Sequence, residues 1–192
     1  GSSDRKKLGS RTLEPCLKSK GISRLDIAIV SHGDSDHISG LLYLLEQKMP
    51  IELLMLPAGG KGGEIYGQLE QLQTEAGGKT YFMHQGDKIK AGEMEFTCIF
   101  EKETEEERNA HSLVLCSHYE DLHILFTGDM GISEETELLK MTEIKGSIQQ
   151  EHLKHVQILK TAHHGSKGSS SPGFLGKMPL KAAFISYGKD NS

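Results

Sequence analysis

The chain has 192 residues, of which 36% are hydrophobic and 26% charged, with a formal net charge of −5 and no tryptophan. This is an ordinary composition for a soluble globular chain. It also argues against a broad nucleic-acid-coating surface, although a local basic rim or bound cations stay compatible with it. The length fits one domain, which buries roughly two-thirds of its unfolded surface and needs no disulfide to fold. No apolar run approaches a membrane span and no signal peptide opens the chain. Gly1-Ser2-Ser3 reads as a cloning scar, leaving 4–192 as the domain. Cys16, Cys98 and Cys116 form no C-x-x-C pair. The last two lie in strand-like runs and read as small buried apolar side chains rather than disulfide or zinc partners.

In chain order, residues 12–20 predict a short helix ending at Gly21. Leu25–Val30 is an apolar, β-branched strand. It gives way to the polar run His32-Gly33-Asp34-Ser35-Asp36-His37, read as a loop. Ile38, Leu41, Leu42 and Leu45 then recur at helical spacing. A strand follows at 51–56, a glycine-rich loop at 59–63, a helix at 64–76, and strands at 80–83 and 93–100. The charge run Glu101–Arg108 reads as a solvated loop. Strands at 112–118 and 122–127 are joined through Tyr119-Glu120-Asp121. A helix covers about 132–141 with Ser133 as N-cap. The remainder reads as a strand at 156–162, a Ser/Gly-rich loop, a short helix near 172–178 and a last strand at 182–187.

Three clusters at three strand ends carry the chemistry. In the first, alternate residues of an extended loop point the same way, so His32, Asp34 and Asp36 can converge on one cation. Reversal into the helix aims His37 at the same space. Two imidazoles and two carboxylates suit a dinuclear hydrolytic site. A helix N-cap would explain one polar residue, not four, and the spacing is not that of an EF-hand. The second cluster, Phe126-Thr127-Gly128-Asp129, is a common turn by itself, but a carboxylate at a strand end can bridge two cations. The third is Ala162-His163-His164-Gly165-Ser166. Successive residues of extended backbone diverge, so one of the two histidines is expected to ligate. His163, nearer the strand, is the expected ligand, with His164 orienting a ligand or contacting substrate.

In this order and at these separations, the clusters resemble the metallo-β-lactamase superfamily. The segments Ser31–Leu41, Ser112–Leu115, Leu125–Met130, Leu159–Ser166 and Ile185–Asn191 are similar, more narrowly, to the C-terminal hydrolase-like domain of the ComEC family of bacterial DNA-uptake proteins. The resemblance implies an α/β fold, the αββα four-layer sandwich, here trimmed at both ends. It implies two divalent ions, manganese or zinc. His32 and Asp34 would serve one position and Asp36 and His37 the other, with Asp129 bridging and His163 completing the second. Relatives of this kind share the aspartate at position 34 where histidine is commoner, and carry asparagine-rich sequence before the Ser112 strand. Asn109 or His111 is therefore a candidate weak ligand or phosphate neighbour.

The expected activity is metal-dependent phosphodiester hydrolysis with DNA, single-stranded or duplex, as substrate. Asp36 would orient the nucleophile, and His164 would assist. Lys160, Lys167 and Lys189 are candidate contacts to a DNA backbone, set against their reading as ordinary surface charge. The resemblance places the domain on the extracytoplasmic face of a membrane-embedded channel protein, the rest of which is its expected partner; no other stable protein partner is evident. Alternatives are a small-molecule or cell-wall phosphoesterase of the phosphorylcholine-esterase kind, and a non-enzymatic DNA-binding scaffold with a vestigial site.

Overall fold

The computed structural model describes residues 6–102 and 112–187. Asn109, His111, Lys189, residues 103–108 of the charge run and residues 188–191 of the last similar segment lie outside them. The chain divides into two units, one ending at Met83 and the other beginning at His84.

The first unit opens with a helical segment in which wide π-type turns (Lys6–Leu13) run into α1 (Glu14–Ser19). This is longer than the helix predicted from residue 12. Then come β1 (Leu25–Ile29), α2 (Ser35–Glu46), β2 (Ile51–Pro57), α3 (Glu64–Glu75) and β3 (Lys79–Met83). The strands form a parallel sheet in the order β1-β2-β3, with Leu25 opposite Ile51 and Leu53 opposite Lys79. Two successive βαβ crossovers build it, so the active end is expected at the carboxyl ends of the strands. Val30, Ile38, Leu42, Leu45, Leu54, Leu56 and Leu69 make its core. Buried Gln73 donates from Nε2 to the carbonyls of Ile51 (2.8 Å) and Lys79 (3.1 Å), fixing α3 across two strands.

The second unit holds β4 (Lys88–Ala91), β5 (Met94–Phe100), β6 (Val114–Tyr119), β7 (Leu122–Phe126), α4 (Ile132–Thr142), α5 (Ile148–Leu153), β8 (Ile158–Lys160), α6 (Pro172–Leu175) and β9 (Ala182–Phe184). Its six strands are ordered β4 to β9. The first four are antiparallel and the last three parallel. Its core gathers Ile99, Phe100, Val114, Cys116, Leu125, Leu138, Leu153, Val156, Leu159 and Phe174.

Three expectations are corrected here. The N-cap of α4 is Gly131, not Ser133; the Glu134 carboxylate accepts the Gly131 N–H at 3.1 Å and satisfies the helix end from within. The strand expected over 156–162 contracts to Ile158–Lys160, because the chain turns at Ala162–Gly165. Glu101, assigned to a solvated run, is buried. Cys98 and Cys116 are buried free thiols, as their strand-like setting predicted, and Cys16 is exposed.

Candidate metal centre

The first cluster begins where β1 ends. α2 starts at Ser35, so Asp36 occupies a helical first turn rather than the extended loop expected, and His37 follows it on that turn. Only His32 and Asp34 keep the alternate spacing of extended chain. Asp34 is the N-cap residue, with φ −71° and ψ 143°, yet its carboxylate makes no capping hydrogen bond. A capping aspartate normally contributes about 1 kcal/mol. This one instead turns toward His32, Oδ2 to Nε2 at 3.8 Å. On the helix, Asp36 Oδ2 lies 3.7 Å from His37 Nε2. The rings of His32 and His37 are 4.1 Å apart, centroid to centroid. His32 is fully buried, and its Nδ1 meets Ser31 Oγ at 3.1 Å. Gly33 is required because a Cβ there would come within 2.9 Å of Ile65 and 3.0 Å of the Tyr66 hydroxyl.

In the second unit, buried Thr127 donates from Oγ1 to the Lys160 carbonyl at 2.8 Å, locking the end of β7 to β8. Gly128 takes φ +54° to reverse the chain. Asp129 is then held by its own N–H, which donates to the buried Ser112 Oγ at 3.0 Å. Its carboxylate is buried, and Oδ2 lies 3.7 Å from His164 Nε2. The premise behind choosing between His163 and His164 does not hold. Both have left-handed backbone, φ 44° and 54°, rather than extended. Two adjacent non-glycine residues there cost about 1 kcal/mol or more each, and the surrounding contacts must hold them. The His163 N–H donates to the Gly128 carbonyl at 3.2 Å, and the Ser169 hydroxyl donates to the Ala162 and Ser166 carbonyls. Buried Glu135 on α4 accepts N–H bonds from Ser170 and Ser171, the latter at 2.9 Å.

His164 Nδ1 lies 2.7 Å from the Ser186 carbonyl. A carbonyl only accepts, so Nδ1 is the donor, and in the neutral ring Nε2, on the Asp129 side, is the lone-pair nitrogen. That is the tautomer of a ligating imidazole steadied from behind. Three imidazole–carboxylate pairs therefore stand at 3.7–3.8 Å. Such distances are too long for hydrogen bonds. They approach the roughly 3–3.5 Å between neighbouring ligands of one cation with bonds near 2.1 Å. The donor set is mixed nitrogen and oxygen, and it fits divalent ions of that size.

The structure thus gathers His32, Asp34, Asp36 and His37 in the first unit, and Asp129 and His164 in the second. Among the candidate lysines, Lys160 is half-buried and donates to the Thr161 carbonyl at 2.7 Å, while Lys167 is exposed. Burial lowers the Lys160 pKa, and the Asp129 carboxylate opposes that shift. Ser112 and Glu135, the positioning groups, were missed as such. Ser112 lies in a segment noted for its similarity to known sequences, but nothing in the sequence marks a helical glutamate as buried.

The chain belongs to the metallo-β-lactamase superfamily, whose family model matches residues 1–189. That superfamily is in general one of hydrolytic metalloenzymes. More particularly, the chain is 31% identical over 186 residues to ComE operon protein 3 of Bacillus subtilis (strain 168), the ComEC-like resemblance seen in the sequence. The similarity covers 96% of the chain but only 23% of that relative's length. Among solved structures, the metallo-β-lactamase fold protein YhfI of B. subtilis has a TM-score of 0.51 at 14% identity, over 76% of this chain and 54% of that one. CmlA of Streptomyces venezuelae, a diiron β-hydroxylase, has a TM-score of 0.50 at 15% identity, over 72% and 25%. With the family match, the likeness to YhfI shows the metallo-β-lactamase fold. No described helix is long and apolar enough to cross a membrane.

Proposed function

We propose that this chain is the catalytic part of a metal-dependent phosphodiesterase that cleaves DNA during competence-related uptake. The carrying observation is the carboxylate-rich donor set, whose imidazole–carboxylate pairs stand at 3.7–3.8 Å. The resemblance of its motifs to the ComEC family of DNA-uptake proteins, to which the similarity with ComE operon protein 3 corresponds, is what favours DNA as substrate. In this reading His32, Asp34, Asp36, His37, Asp129 and one imidazole of the His163–His164 turn hold two divalent ions. His163 was the expected imidazole; the tautomer and the Asp129 distance favour His164. When bound, such ions lower the pKa of water and neutralise phosphate charge. Asp36, on the first turn of α2, orients the attacking water through its second oxygen. The Ser112 hydroxyl and the Thr127–Lys160 bond keep Asp129 aimed without movement during reaction, which is what makes electrostatic stabilisation effective. Lys160 and Lys167 stand near the same strand end for the phosphate backbone. The rest of the parent protein, a membrane-embedded channel, would deliver the strand from the extracytoplasmic side.

Metal-stripped chain should leave single-stranded and duplex DNA intact, regain hydrolysis on addition of divalent ions, and lose it in Asp36→Asn and Asp129→Asn. Metal-dependent cleavage of phosphorylcholine esters with DNA left intact would assign the small-molecule reading. DNA binding with no hydrolysis under any ion would assign the scaffold reading.

A further inference from the structure

A second group of metal-type ligands lies at the other end of the six-stranded sheet. Cys116 on β6, His123 at the start of β7 and His152 on α5 bring one thiol and two imidazoles within 4.8 Å of one another. The register explains the gathering. Cys116 and His118 alternate onto one face of β6, and across the ladder their partners are Leu125 and His123. Cys116 and Leu125 belong to the core that also contains Leu153 of α5, so this is the helix-covered face. His123 lies at the start of β7, whereas Asp129 lies beyond its end at Phe126, past the reversal at Gly128. The group is therefore separate from the residues assigned to hydrolysis.

An apolar core edge is an expensive place for these side chains. Cys116 is fully buried, and its thiol approaches the Ser117 carbonyl at 3.9 Å. His123 Nδ1 is buried with no hydrogen-bond partner. The rings of His118 and His123 stack at 4.5 Å, and those of His123 and His155 at 5.3 Å. Lys88 and Glu95, paired at 3.2 Å, approach from the neighbouring strands. The buried thiol and the partly buried His123 and His152 gain little from one another and lose hydration.

We propose that Cys116, His123 and His152 form a zinc site that ties α5 to the β6–β7 hairpin. One sulfur and two nitrogens make a soft donor set of the kind zinc accepts, with a fourth position left for His118, His155 or water. Tetrahedral zinc places such ligands about 3.5 Å apart, so side-chain rotation closes the present spacing. Burial pushes the Cys116 thiol up to about 12, so loading the site releases a proton. The role is structural, because the site sits against the core rather than at the strand ends where the hydrolytic ligands gather.

Sulfur separates this site from the hydrolytic one, whose proposed ligands include no cysteine. The metal-stripped chain, carrying Cys16→Ser to remove the exposed thiol, is titrated with Co²⁺ and followed by absorption. A thiolate-to-cobalt charge-transfer band is expected, lost in His123→Gln and in His152→Gln, and retained in Asp129→Asn. Circular dichroism confirms that each variant is folded. Zn²⁺ should displace the cobalt and raise the thermal midpoint of the parent but not of the two histidine variants. Absence of the band at saturating cobalt in folded protein would overturn the proposal. So would a band that survives both histidine substitutions.

Discussion

At Asp34 the chain gives up a helix cap to place a carboxylate beside His32, and two residues later Asp36 stands beside His37 on the first helical turn. If those carboxylates are ligands, Asp34→Ala and Asp36→Ala should each remove most divalent-ion binding at this centre in calorimetric titration. Stability should barely change: within roughly 0.5 kcal/mol for Asp34, and up to about 1 kcal/mol for Asp36, which also complements the helix dipole. Unchanged stoichiometry in both variants would sink the assignment. A different residue-scale outcome concerns the thiols. Burial pushes Cys98 up to about 12, with the Glu101 charge adding to the effect. Its folded pKa is raised, so its contribution to stability is complete below the unfolded thiol value near 8.5. It declines as pH rises from there toward 12, by at most about 1.4 kcal/mol per pH unit. Chemical denaturation should show a shallower alkaline loss in Cys98→Ala than in the parent, and native thiol labelling should reach Cys16 well before Cys98 or Cys116. Equal labelling rates for all three would contradict the burial.

Helix α4 reaches beyond its own packing through Glu135, whose carboxylate satisfies the Ser170 and Ser171 amides and so anchors the loop that follows the left-handed histidine pair. Removing it leaves two part-buried donors without their charged acceptor. Glu135→Ala should therefore destabilise the second unit by about 3 kcal/mol, the lower end for two hydrogen bonds to a charged group because both donors are part-buried. The midpoint of urea unfolding measures it, and a shift smaller than that of a surface Glu137→Ala control would show that the anchor is idle. Elements of this kind divide into those the sequence exposes and those it hides. The runs at Leu25–Val30 and 51–56 could be read because fully buried parallel strands are continuously apolar. β4 escaped because Lys88-Ile89-Lys90-Ala91 is an edge strand with one half-buried apolar residue, and α5 because six residues give too little periodicity. At the site, the histidines and aspartates were legible as donor types in the right order. The turn that orients His163 and His164 was not, since left-handed backbone at two histidines is imposed by contacts from Gly128, Ser166 and Ser169 rather than by their own preference.

Across the whole molecule, the donors fall into two chemical kinds. The residues assigned to hydrolysis comprise Asp34, Asp36 and Asp129 with His32, His37 and an imidazole of the His163–His164 turn, half of them oxygen donors. Substituting carboxylate oxygen for imidazole nitrogen makes a centre harder. Affinity by itself misleads here, because zinc outcompetes manganese at most nitrogen and oxygen sites. Rate is the better discriminator. Manganese suits oxygen-rich, water-keeping coordination, whereas zinc favours tetrahedral nitrogen and sulfur sets such as the one at Cys116. DNA hydrolysis by metal-stripped protein, reconstituted with each ion at equal free concentration, should accordingly be faster with manganese than with zinc. The same preference should weaken in Asp34→His, which restores a nitrogen donor at one position. Zinc-supported hydrolysis at or above the manganese rate in the parent chain would show that donor hardness does not govern this centre.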